Sequence, residues 1–117
     1  MSTEPRNAQQ ARLAKNQALF RVVNERMQML AGSFGTLEAE HTFVCECSDP
    51  DCAAQLDLRT EEYEEIRADP ARFLIAPGHE ISLVEVVVVE KPTYFVVEKI
   101  EAGRQVAVAT DPRQVAQ

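Results

Sequence analysis

The sequence predicts an α+β fold: a long N-terminal helix, then a small, mainly antiparallel sheet with one short helix and a metal site. Three observations carry this. Residues 7–31 have helix-forming composition with no internal Gly or Pro. Two β-branched runs, 83–90 and 94–100, are joined only by Lys91-Pro92-Thr93 and read as a hairpin. All three cysteines fall within FVCECSDPDC, residues 43–52.

In the helix, Leu13, Phe20, Val23, Met27 and Leu30 follow one another at steps of seven, three, four and three. With Asn16 in the vacant place, this is an a/d heptad seam. Leu19, Val22 and Met29 widen it on one side, and Gly32, Ser33 and Gly35 end the helix. Such a helix spans about 37 Å at 1.5 Å per residue. That is long for so small a domain, so the seam either pairs with a second copy or a partner helix, or packs against the chain's own sheet.

Beyond the glycines the pattern changes. Residues 42–46 and 55–58 read as strands. Thr60 is placed to cap a short helix, with Glu61 and Glu62 in its first turn. Tyr63 and Ile66 share one face of that helix, and Pro70 stops it. Residues 73–76 form a strand closed by the Pro77-Gly78 turn signal. Residues 106–109, after Gly103, add a further strand, and 111–117 form a frayed tail. The organisation is thus a basic helix over 1–31, a small α+β zinc-binding domain over 32–110, and the tail.

The chain has 117 residues, 45% of them hydrophobic, enough for one domain with a real core. Its formal charge of −7 is uneven, about +3 over residues 1–31 and −11 over residues 38–90. An acidic body disfavours phosphate backbones, and 6% aromatic residues is low for a protein that stacks bases. Nucleic acid is therefore not an expected partner. No run reaches the roughly 18 apolar residues of a membrane span. MSTEPRNAQQ has no apolar segment of the secretory type, so the expected location is the cytoplasm.

An odd cysteine number argues against a disulfide framework and for metal binding. In an extended segment Cys45 and Cys47 point to one face, and the Ser48-Asp49-Pro50-Asp51 turn can return Cys52 to the same point. Three thiolates make most of a zinc site. Two histidines are available to complete it. His79 follows a strand, in Pro77-Gly78-His79-Glu80. His41 lies four residues before Cys45, roughly 13 Å away along a straight strand. His79 is the favoured fourth ligand, with Glu80, Asp49 or a water as alternatives. The Cys-x-Cys…Pro-x-Cys…His order resembles the small CDGSH-type proteins, whose two-iron cluster is held by three cysteines and a histidine. Here the second gap is shorter and the histidine lies far downstream, so zinc is preferred to an iron–sulfur cluster.

As a set, FVCEC with the following Pro-x-Cys, EEYEEIRADPARFLIAPGHE, VEVVVV and YFVVEKI resemble a family of small, functionally uncharacterised bacterial proteins, most of them actinobacterial. The likeness includes the LFRVVNERM stretch at 19–27 and covers roughly residues 16–111. It implies that Cys45, Cys47, Cys52 and the Gly78-His79-Glu80 triplet act as one unit, and it implies no activity.

No phosphate-binding glycine loop, nucleophile elbow or H-E-x-x-H is present. An acid/base role for His79-Glu80 beside a metal-bound water is the enzymatic alternative. The expectation is a zinc-binding regulatory or interaction module without a catalytic role, using its N-terminal helix for a protein partner or a homodimer. A cysteine-based redox or metal sensor is the second class.

Overall fold

The computed structural model describes residues 6–33, 40–81 and 84–113. Helix α1 (Arg6–Ser33) is followed by the antiparallel strands β1 (Glu40–Val44) and β2 (Gln55–Arg59). Helix α2 (Thr60–Arg67) then leads to β3 (Arg72–Ile75), β4 (Glu85–Glu90), β5 (Phe95–Lys99) and α3 (Glu101–Ala109). The last three strands form an antiparallel sheet in the order β3-β5-β4. Its edge strand β4 carries an irregularity between Val87 and Val89, a device that discourages edge-to-edge pairing.

The core lies between the two sheets and α2. Phe43 of β1 stacks on Tyr63 of α2, ring centroids 4.6 Å apart. Leu56, Leu58, Ile66, Phe73, Leu74, Ile75, Val96 and Val97 surround this pair, and Cys45 and Cys47 belong to the same buried cluster. Glu46 links the sheets, because its backbone N–H donates to Leu74 O at 2.7 Å while its neighbour Cys45 still donates to Ala54 O at 3.0 Å. Arg59, not Thr60, is the N-cap of α2, and its backbone N–H donates to the Glu62 carboxylate at 3.0 Å.

Residues 106–109, expected as a strand, belong to helix α3. Alternation in QVAVA suits either structure. What selects the helix is that Gly103 and Ala107, four residues apart, are both buried, while Val108 is exposed. Helix α3 packs on α1, where Ala14 and Ala18 are likewise four apart and buried. Small residues on each helix let the backbones approach closely. Glu101, at φ 53°, turns the chain from β5 into α3.

Helix α1 is part of the domain rather than a separate arm, and its buried face is not the heptad seam. Ala14, Gln17, Ala18, Arg21 and Asn24 are buried. Leu13, Phe20 and Met27 are half-buried, and Val23 and Leu30 are exposed. The polar side chains go inward because each meets a fixed partner there. Arg21 donates to Pro70 O at 2.7 Å and to Ala107 O at 2.8 Å, with its guanidinium 4.5 Å from the Phe73 ring centroid. Gln17 donates to Glu85 Oε1 at 3.2 Å. Asn24 pairs with the free edge of β1, donating to Val44 O and accepting from Val44 N–H, both at 2.8 Å.

Residues 111–113, expected to fray, are held by ion pairs. Asp111 pairs with Arg67, and Arg113 pairs with Glu25 and Glu64. Residues 34–39, 82–83 and 114–117, which include Gly35 and Leu83, lie outside the described residues.

Candidate metal centre

The three cysteines occupy the connection between β1 and β2, and the histidine follows β3. Two proline turns aim the outer members. In Asp49-Pro50-Asp51-Cys52, the Cys52 N–H donates to Asp49 O at 3.1 Å, and the Asp49 carboxylate accepts from Asp51 N–H at 2.9 Å. In Ala76-Pro77-Gly78-His79, the His79 N–H donates to Ala76 O at 3.1 Å, and Gly78 stands at φ +87°. Proline at the second position and a positive-φ glycine at the third are the pattern of a type II turn. Cys52 and His79 are therefore both the fourth residue of a turn whose second residue is proline.

One ligand atom each from Cys45, Cys47, Cys52 and His79 lies within 4.8 Å of the other three. His79 Nδ1 is 3.6 Å from the Cys45 sulfur and 3.5 Å from the Cys52 sulfur. A tetrahedral zinc with ordinary Zn–S and Zn–N bonds requires a sulfur–nitrogen edge of about 3.6 Å. This spacing suits a shared cation. Asp49, Glu80 and His41 are not members of the group. His41 sits toward the opposite end of β1 from the cysteines, opposite Leu58.

Burial is graded across the group. Cys45 and Cys47 are 1% and 3% exposed, Cys52 is half-buried and His79 is exposed. A cleft of about 250 Å³, lined by Cys47, Ser48, Asp49, His79 and Ile81, opens beside it. Desolvation pushes the Cys45 and Cys47 thiols up from the ordinary range. Backbone N–H groups oppose this. Ala76 donates to the Cys45 sulfur at 3.2 Å, Cys47 also donates to Cys45, and Asp49 donates to Cys47. Such donors favour the thiolate over the thiol, as a cation beside the sulfurs would.

Behind the cysteines stands a group that the sequence reading passed over. Glu46 is fully buried, and three donors converge on its carboxylate: Tyr63 OH at 2.6 Å, Asn24 Nδ2 at 2.8 Å and Leu74 N–H at 2.9 Å. Burial pushes its carboxyl up, and these donors pull it back. Alternation could show only that Glu46 faces away from Cys45 and Cys47; its burial depends on Tyr63, Asn24 and Leu74, which meet it only in the folded body.

No protein-family model matches the chain, and no curated protein or solved structure matches it.

Proposed function

We propose that the chain is a small zinc-binding interaction module in which Cys45, Cys47, Cys52 and His79 hold one structural zinc ion. The observation that carries this is the meeting of four ligand atoms within 4.8 Å from segments 27 residues or more apart at the histidine. Four protein ligands close the coordination shell, which favours a structural role over catalysis. The ion would tie the β1–β2 connection to the turn after β3. In small domains such an ion contributes on the order of 10 kcal/mol to folding.

Elemental analysis of the purified protein tests the reading. One equivalent of zinc is expected, lost in Cys47→Ser and strongly reduced in His79→Ala. Absence of stoichiometric metal from protein purified with zinc present would refute it. Visible absorption with iron and sulfide would transfer the site to a cluster.

A second reading, a redox sensor, is favoured by the accessibility of Cys52 beside the buried pair. A peroxide would take two electrons from two of the thiolates. A disulfide forms, the O–O bond breaks, two protons complete two waters, and the zinc is released. Retention of zinc under peroxide would leave only the structural role.

A further inference from the structure

Helix α1 turns its polar face inward and leaves an apolar face in solvent. Leu19 is 69% exposed, Val22 38%, Val23 43%, Met29 72% and Leu30 59%. Residues 19, 22, 26, 29 and their neighbours 23 and 30 fall on one stripe at heptad spacing, with Arg26 in its middle. Together these side chains leave on the order of 500 Å² uncovered, at the upper end of what a monomer tolerates. We propose that this face pairs antiparallel with α1 of a second copy, around a two-fold axis between Val23 and Arg26.

Shape and size support a second copy. Overlaying residues 19–30 antiparallel on themselves brings Leu19 of each chain opposite Leu30 of the other. A groove of about 540 Å³ lined by Arg26, Met29 and Leu30 lies there. Those three residues, at i, i+3 and i+4, are three sides of a hole in knobs-into-holes packing, and Leu19 is the knob. Two copies meeting on the stripe bury about 1,000 Å² before the flanks are counted, which reaches the size of a specific interface.

Charge selects the direction. The exposed residues of α1 include Arg12, Lys15 and Arg26 but no carboxylate among the described residues. A parallel pair would set Arg12 and Lys15 against their own copies, whereas Arg26, beside the axis, comes near its own copy in either direction. An antiparallel pair carries Arg12 and Lys15 past residue 30 of the other chain. The acidic helix α2 lies at that end, fixed to α1 where Gln28 donates to Thr60 O at 2.9 Å and to Glu64 at 3.1 Å. Exposed Glu61 and Glu65 sit on the same helix. The apolar stripe meets itself, and the basic end of each chain meets the acidic end of the other, which is the self-complementarity that a two-fold interface requires.

Sedimentation equilibrium of the full chain from low to high micromolar concentration tests this. A reversible monomer–dimer equilibrium is expected. Leu19→Glu and Met29→Glu, each on the outer face, should weaken it at least about tenfold while leaving the thermal unfolding of the monomer unchanged. Lys15→Glu should weaken it less, and added salt should erase that difference. A wild-type chain that stays monomeric throughout would overturn the proposal, as would a dimer unaffected by Leu19→Glu. A monomer that instead binds a synthetic acidic amphipathic helix would assign the face to a different protein.

Discussion

The phenol of Tyr63 donates to the Glu46 carboxylate at 2.6 Å, and Glu46 is the residue between two cysteines of the candidate metal centre. This bond joins α2 to the cysteine segment, and Asn24 joins α1 to the same carboxylate. Removing the phenol takes one of three donors from a buried carboxylate that keeps Asn24 and Leu74. Tyr63→Phe should therefore cost about 1–2 kcal/mol, and Glu46→Gln, which turns an amide N–H₂ toward a donor, about 1–3 kcal/mol. Urea midpoints at fixed metal loading measure both. The double variant should cost less than the sum of the two, and strict additivity would show that the residues do not act together.

The turn that presents His79 makes a second prediction. Gly78 stands at φ +87°, and a Cβ added there meets nothing within 4 Å. The cost of Gly78→Ala is thus conformational, about 1–2 kcal/mol, with no steric term. Because His79 is the next residue, zinc affinity should fall along with stability. Pro77→Ala should act in the same direction but more weakly, by about 0.5–1 kcal/mol, through the greater freedom of the unfolded chain. Isothermal titration with zinc separates the two effects. Unchanged affinity in Gly78→Ala would show that the turn does not position the histidine.

These two regions also show what a sequence can and cannot reveal. The Pro50 and Pro77 turns are each encoded in four consecutive residues, so the convergence of Cys52 and His79 on Cys45 could be anticipated from local chemistry. The long helix and the β4–β5 hairpin were legible for the same reason. Other features depend on partners that exist only in the folded body. Arg21 and Asn24 are buried because the carbonyls of Pro70 and Ala107 and the edge of β1 await them. Heptad counting could only mark Leu13, Phe20, Val23, Met27 and Leu30 as an apolar seam, without saying which side of the helix meets the body. Residues 106–109 alternate as a strand would, and only the packing of Gly103 and Ala107 in the body settles the helix.

Burial raises the Cys45 and Cys47 thiols, and this has a signed consequence for metal-free protein. Their folded values lie above the unfolded ones, so the folded chain keeps protons that the unfolded chain gives up. The stability they contribute is full below the ordinary thiol range, near pH 8.5, and falls as pH rises through it. Zinc must displace those same protons. Its apparent affinity should rise with pH by about tenfold per unit for each proton released. Competition with a chelator at several pH values, together with melts of the metal-free chain, checks both slopes. A flat affinity profile below pH 8 would mean that the thiols are already ionised without metal.

The last prediction concerns Lys99 and Glu85, which lie 3.1 Å apart and are both buried. The Glu85 carboxylate also accepts from Gln17 Nε2 and, at 3.0 Å, from Ile81 N–H, so it anchors α1 and the segment just after His79. Desolvation pulls the Lys99 ammonium down from its usual range, opposed by Glu85. The net worth of such a pair is small, because desolving two charges offsets their attraction. Breaking it is another matter. Lys99→Met leaves a buried carboxylate without its cation and should cost about 3–5 kcal/mol. In Lys99→Met with Glu85→Gln the buried charge is gone, while the amide oxygen still accepts from Ile81 or Gln17. The double variant should therefore recover much of the loss. Thermal and urea unfolding of the three proteins decide the matter. A double variant as unstable as Lys99→Met alone would show that the ammonium acts through packing and not through the carboxylate. Recovery would identify Glu85 as the group that the lysine exists to neutralise.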